Sequence, residues 1–122
     1  MKHSNFLERV YLFSIAILLS SIAAFSQNQE SSCKVLLESI SGEYQGDCKN
    51  GLAHGKGIAK GVDVYKGKFK KGVPHGNGKY MWQNGSYYEG SWKKGKKHGK
   101  GILYNNETNK EQQGVWKNDE FY

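Results

Sequence analysis

Residues 65 to 78 read YKGKFKKGVPHGNG, and the same pattern recurs on both sides of them. Residues 44 to 57 read YQGDCKNGLAHGKG, residues 88 to 101 read YEGSWKKGKKHGKG, and residues 112 to 119, QQGVWKND, begin a fourth copy. The copies start 21, 23 and 24 residues apart. A period of this length is typical of repeat proteins, in which each repeat is one supersecondary unit and stacked neighbours bury a shared core.

Three columns and a closing HGxG recur in the copies. The columns hold a tyrosine, a glycine and a large aromatic residue, in the order Tyr44, Tyr65 and Tyr88; Gly46, Gly67, Gly90 and Gly114; Phe69, Trp92 and Trp116. From residue 44 to about residue 119 the pattern resembles the MORN (membrane occupation and recognition nexus) repeat family, close to YxGxWxxGxxHGxG. Repeat one departs from it with Cys48 in the aromatic column and Gly61 in a late aromatic column. The resemblance implies scaffolding and, in some members, association with membranes or phosphoinositides.

The fold class follows from the alternation of side chains. Tyr65, Gly67 and Phe69 alternate with lysines, and this period of two predicts a strand with one apolar and one charged face. The alternation resumes after a turn at Gly72, so each repeat is a β-hairpin, and Asn84-Gly85 signals a two-residue turn to the next hairpin. We predict an all-β fold: an elongated single-layer antiparallel sheet of stacked MORN β-hairpins, an open solenoid-like array of about seven or eight strands.

Glycine density points to a thin core of aromatic rings. All 16 glycines lie between residues 42 and 114. A residue without Cβ lets a neighbouring ring lie flat across the strand. We expect Trp92 to lie above Gly67 or Gly114.

The N-terminus predicts a signal peptide over residues 1–26. Lys2 and Arg9 precede an apolar run that ends at Ala24, and a small-x-small site ends at Ser26. The run is shorter than the roughly 20 residues that span a bilayer, although an uncleaved membrane anchor is the alternative. We expect an exported protein that begins at Gln27 and resides in the periplasm, outside the cell or in the cell envelope.

The exported part divides into three segments. These are an N-terminal segment at 27–41 with a leading strand from Lys34 to Ser41, a repeat array at 42–119, and a C-terminal end at 120–122. The array comprises repeats at about 44–64, 65–87 and 88–111 and a partial repeat at 112–119.

The two cysteines of the chain, Cys33 and Cys48, lie in the exported part, where an oxidising compartment would let them pair. Two free thiols are one alternative. A metal site is another, but no further ligand lies at zinc-like spacing from both. We expect a disulfide, which would close a loop of roughly 15 residues and contribute roughly 3 kcal/mol.

The residues that could carry catalysis do not form a site. His54, His75 and His98 recur once per hairpin, so neighbours would lie roughly 9 to 10 Å apart, whereas ligands that share a zinc ion approach within about 4 Å. HGxG opens a strand and not a helix, which argues against a phosphate loop. No serine or cysteine nucleophile stands beside a base. We therefore predict structural histidines, no enzyme activity and no cofactor or metal.

Positive charge is concentrated in repeats two and three. Residues 56–100 contain 12 lysines and two acids. Four of these lysines flank the predicted turns at Gly72 and Gly95, and we call them the tip lysines: Lys71, Lys94, Lys96 and Lys97. They are a candidate anion-binding ridge, although lysines at such an edge can also simply keep an open sheet soluble. Residues 27–122 contain no arginine, which argues against specific nucleic-acid recognition.

Two hypotheses for function follow. The first is a protein-interaction scaffold that binds an envelope protein through the aromatic face or an unpaired sheet edge, where edge pairing would also allow oligomers. The second is an electrostatic adaptor that binds anionic membrane lipid or acidic polysaccharide through the tip lysines. Binding by the adaptor would weaken with salt because exposed charges are screened beyond about 8 Å at physiological ionic strength.

Overall fold

A computed structural model describes residues 33–122, and the predicted signal peptide and the start of the N-terminal segment lie outside them. The described residues form a short 3₁₀ helix and eight strands: the helix at Glu38–Ile40, β1 (Glu43–Lys49), β2 (Leu52–Lys60), β3 (Val64–Lys70), β4 (Val73–Met81), β5 (Tyr87–Lys93), β6 (Lys96–Asn105), β7 (Lys110–Lys117) and β8 (Glu120–Phe121). No helix in this range is long and apolar enough to cross a membrane.

The strands form one open antiparallel sheet whose order follows the chain from β1 to β8. The predicted all-β sheet of stacked hairpins is confirmed. Within a repeat the strands are joined by two residues in the left-handed region, as at Lys71 and Gly72, whose φ angles are 50° and 84°. Two such residues form a type I′ turn, whose twist matches that of paired strands.

The connection between the second and third hairpins differs from the prediction. The N–H of Trp82 donates to the carbonyl of Ser86 at 2.9 Å, and the N–H of Gly85 donates to the carbonyl of Trp82 at 3.0 Å. Gly85 has a φ of 90°. These bonds enclose a three-residue loop with glycine in the left-handed region, which is the next most common hairpin connection, and not a two-residue turn at Asn84-Gly85.

A row of glycines crosses seven strands, and each is the register partner of the next: Gly46, Gly57, Gly67, Gly78, Gly90, Gly101 and Gly114. A Cβ on the second-strand glycine of a repeat would collide with the ring of that repeat's tyrosine, as Gly78 would with Tyr65. Tyr65 reaches it because it lies two residues from Gly67, the partner of Gly78, and its ring leans along the strand.

Trp92 therefore does not take the position expected for it. The atoms nearest to a Cβ on Gly67 belong to Gly78, Asn77 and Tyr65, and those nearest to one on Gly114 belong to Phe121. Trp92 instead donates from Nε1 to the carbonyl of Gly78 at 3.2 Å. The tyrosine of each hairpin already fills the space above the glycine row.

The core is a zigzag of rings on one face of the sheet, which we call the aromatic face. The ring of Tyr65 makes edge-to-face contacts with two other rings. Its centroid lies 5.0 Å from that of Phe69 in the same repeat and 5.6 Å from that of Trp92 in the next repeat. The same alternation continues from Tyr44 at one end to Trp116 at the other. Such pairs contribute about 0.5–1.5 kcal/mol each beyond the area that they bury, so the rings hold successive repeats together.

Residues 33–41 lie across the aromatic face of repeats one and two. Ile40 is fully buried there, and Val35 and Leu37 pack against the ring cluster. The predicted leading strand is wrong: Lys34 makes one isolated bridge with Leu52, and no strand precedes β1 in the described residues. The segment crosses several strands instead of pairing along one.

The predicted disulfide is confirmed. Cys33 is bonded to Cys48, with their Cα atoms 5.9 Å apart. The bond joins the start of the crossing segment to β1.

Candidate partner-binding surfaces

The two departures of repeat one from the pattern accommodate residues 33–41. Cys48 takes the aromatic position because it anchors the segment through Cys33. Gly61 takes the late aromatic position because a Cβ there would lie 2.6 Å from the carbonyl oxygen of Ser39 and 3.1 Å from the Cα of Ile40. Repeat one is thus adapted to carry a length of chain on its aromatic face.

Polar groups fix the far end of this segment. The hydroxyl of Tyr80 donates to Oδ2 of Asp63 at 2.6 Å, so the hydroxyl of Ser39, 2.7 Å away, must donate to Tyr80. The N–H of Asp63 donates to the carbonyl of Ser39 at 3.0 Å. Burial and the bond to Asp63 raise the pKa of Tyr80 to about 12, so the Tyr80 hydroxyl keeps the proton that it donates.

One position of the repeat shows how the aromatic face changes along the array. It holds Ala53, Pro74 and Lys97, and the first two are fully buried. The N–H of Ala53 donates to the carbonyl of Lys34, proline has no N–H, and the N–H of Lys97 donates to Oδ1 of Asp119 at 2.8 Å. The crossing segment, residues 33–41, satisfies the backbone donor of repeat one. Repeat two has no donor at this position, and a side chain satisfies the donor of repeat three.

Repeat three has a cleft on the aromatic face that no segment covers within residues 33–122. Its volume is about 270 Å³, and it is lined by Trp82, Asn84, Ser86, Lys97, Leu103, Tyr104 and Asn105. The Nζ atom of Lys97 lies 5.1 Å from the ring centroid of Trp116 and 5.7 Å from that of Trp82. The cleft therefore offers apolar walls, exposed amide groups and one cation held over aromatic rings.

The tip lysines consequently fall into two groups. Lys71 and Lys94 occupy the type I′ turns, and Lys96 begins β6 next to its turn. Lys97 points onto the aromatic face. The structure brings the first three to the hairpin tips and separates the fourth from them.

Histidines hold neighbouring tips together. The N–H of Lys71 donates to Nδ1 of His54 at 3.4 Å, and the N–H of Lys94 donates to Nδ1 of His75 at 3.1 Å. Burial, followed by the charges of nearby lysines, lowers the pKa of His75, which keeps it neutral and able to accept this bond. Among residues 33–122, no three His, Cys, Asp or Glu side chains are grouped to hold a metal ion.

Three segments of the chain match the family model for the MORN repeat, at residues 44–63, 65–87 and 88–107. The chain belongs to the MORN repeat family. A search of curated proteins finds no match to it.

The opposite face of the MORN sheet, which we call the lysine face, carries a second concavity. A hollow of about 440 Å³ spans β1 to β4 and is lined by Gln45, Gly46, Lys56, Gly57, Ile58, Lys66, Gly67, Lys68 and Asn77. Lys56 and Lys68 are direct register partners. Three lysines thus meet away from the hairpin tips, at a place that a search for lysines near turns does not find.

Sequence reasoning also missed the cleft in the third MORN repeat and the crossing segment. The signal for both was present in the repeat columns, since Ala53 and Pro74 are replaced by Lys97, and Gly61 is replaced by Trp82. These substitutions change small, covered positions into large, uncovered ones. Only the path of residues 33–41 shows what the small residues accommodate.

Proposed function

We propose that this MORN protein is a non-enzymatic protein-interaction scaffold of the cell envelope, which binds an extended segment of a partner on the aromatic face of repeats three and four. One observation carries the proposal: residues 33–41 already lie on the same face at repeats one and two, with Ile40 fully buried. The face accepts a stretch of chain that pairs along no strand, ends in one 3₁₀ turn and carries spaced apolar residues. MORN repeats are typically modules for protein or lipid interaction, which supports this reading.

The cleft indicates the chemistry of the partner segment. Trp82 and Leu103 offer apolar contact, and Lys97 offers a cation to a carboxylate. Asp119 accepts from the backbone N–H of Lys97 and limits the net positive charge there. We therefore expect a segment with large apolar residues and a single acid, not a polyanion.

Capture of partners from envelope extract tests the proposal with matched variants. Trp82→Ala should abolish capture of any partner that binds the cleft, and Lys97→Gln should weaken it. Lys100→Ala is the control because Lys100 is exposed on the lysine face, opposite Val115 in the sheet, and does not line the cleft. Capture should persist at high salt, since burial of apolar surface is not screened. Equal capture by the parent and Trp82→Ala would refute the assignment of the cleft.

A second candidate function uses the hairpin tips. The histidine bonds hold the turns of Lys71 and Lys94 side by side, so their charges can add along one edge. We propose as the alternative that these lysines bind anionic lipid or acidic polysaccharide. The variant with Gln at Lys71, Lys94 and Lys96, which lie at the hairpin tips, should fold normally and lose retention on anionic vesicles at low salt, by up to about 1 kcal/mol per lysine. Unchanged retention would refute this alternative.

Export is part of the proposal. Because the apolar run ends at a small-x-small site, the protein recovered from an exporting host should begin at Gln27. Intact-mass measurement decides this. A chain that still begins at Met1 and stays embedded in the membrane would show the anchor instead.

A further inference from the structure

The outer edge of β1 has no partner strand in the described residues. β1 stands at the end of the sheet. The corresponding edges of β3 and β5 are each paired over six positions with an antiparallel neighbour. The residues of β1 from Gln45 to Lys49 are exposed, whereas the equivalent strands are buried at alternate positions.

Symmetry restricts which strand can complete this edge. A second copy placed by translation would bring β8 beside β1, and because β8 has only two residues, most of β1 would stay unpaired. A twofold axis normal to the sheet would instead place β1 of the second copy antiparallel to β1, with both aromatic faces on the same side. Such an isologous contact closes on itself as a dimer. The edge of β7 is already occupied in part, since Trp116 pairs with Phe121.

The sequence of β1, EYQGDCK, selects one register for this contact. Every glycine of the row faces a glycine on the next strand, so the row continues if Gly46 faces Gly46 of the second copy. That register places Glu43 opposite Lys49 and Gln45 opposite Asp47, twice over by symmetry. Moving the second copy by two residues along β1 keeps the two aromatic faces on the same side. One such shift places Glu43 opposite Asp47, and the shift in the opposite direction places Asp47 opposite Asp47, so both set like charges against each other.

We propose that this protein forms a twofold dimer by antiparallel pairing of β1 with β1 of a second copy, centred on Gly46. Charged residues on an edge strand commonly block such pairing. Here the charges are self-complementary in the register that continues the glycine row, and opposite charges directly across a ladder attract. One strand of seven residues from each copy makes a small interface, so the dimer dissociates on dilution.

Sedimentation of the purified protein over a series of concentrations tests the dimer. Lys49→Glu should raise the dissociation constant about 10- to 100-fold, because two attractive pairs become two repulsive ones. Lys49→Glu combined with Glu43→Lys should restore dimers by swapping both partners. Glu43 also faces Lys60 within the sheet, so thermal unfolding of each variant is measured alongside.

Lys110→Glu makes the same change at an exposed residue of β7, near the other end of the sheet, and is the matched control. It should leave the dimer unchanged. A protein that stays monomeric at all concentrations overturns the proposal. So does a dimer that Lys110→Glu weakens and Lys49→Glu does not, or one that the double swap fails to restore while the variant is folded.

Discussion

Replacing Gly78 by alanine tests whether the thin core depends on rings that lie directly on the glycine row. A Cβ at Gly78 would overlap the hydroxyl end of the Tyr65 ring. Tyr65 cannot move aside freely, because it is fully buried between Phe69 and Trp92. The φ angle of Gly78 is not in the left-handed region, so the substitution adds a methyl group without backbone strain.

The expected cost combines two effects. Overpacking of a close-packed site costs about 1–3 kcal/mol. A displaced ring also loses the bond from the Tyr65 hydroxyl to the carbonyl of Lys68, now 2.9 Å, which is worth about 1 kcal/mol. Gly78→Ala should therefore lower the free energy of unfolding by about 2–4 kcal/mol in a denaturant titration followed by tryptophan fluorescence.

A double-mutant cycle identifies Tyr65 as the cause. Once Tyr65→Ala has removed the ring, adding Gly78→Ala should cost far less than it does alone. Gly114→Ala is the control from the same row, because a Cβ there meets only the Phe121 ring at 3.0 Å, and that ring is at the exposed end of the sheet. It should cost less than about 1 kcal/mol. Full additivity of Gly78→Ala and Tyr65→Ala would refute the reasoning.

Three further predictions concern the core, the disulfide and alkaline pH. Trp92→Ala should cost about 3–5 kcal/mol and Lys70→Ala on the lysine face less than about 0.5, and equal shifts in denaturant midpoint would contradict the assignment of faces. Cys48→Ser should cost about 2–4 kcal/mol, and the native protein should show no thiol to a thiol reagent before reduction. Burial raises the pKa values of Tyr80 and Tyr88 from 10.0 to about 12, so stability should hold up to about pH 10 and fall between pH 10 and 12 as these groups ionise more readily in the unfolded chain. Tyr80→Phe should flatten that fall, and an unchanged profile would exclude its contribution.

Much of the fold could be predicted from the repeat columns. The alternation of Tyr65, Gly67 and Phe69 with lysines sets one strand and its faces, because side chains alternate across a strand by geometry alone. The recurrence of that unit sets the antiparallel sheet, since each hairpin can bury its apolar face only against its neighbours. The disulfide could also be predicted, because two cysteines admit one intramolecular pairing.

The candidate sites were less accessible to the same reasoning. Lys96 and Lys97 are adjacent in sequence and both follow the turn at Gly95, so the sequence suggests one ridge. In the sheet, neighbouring residues of a strand point to opposite faces, and Lys97 lies over the ring of Trp116. Proximity to a turn therefore did not determine which face a lysine would join.

By itself, the sequence determined the repeat, the hairpin and the family of this protein, because these depend on local periodicity and on glycine, which alone leaves room for a ring on the strand. Only the tertiary structure decided the path of residues 33–41, which form no regular pairing that a periodic pattern could reveal. Ile40 is fully buried within the ring cluster, and Gly61 is small because Ser39 passes over it. Which part of the aromatic face is covered, and which is left for a partner, follows from that long-range packing.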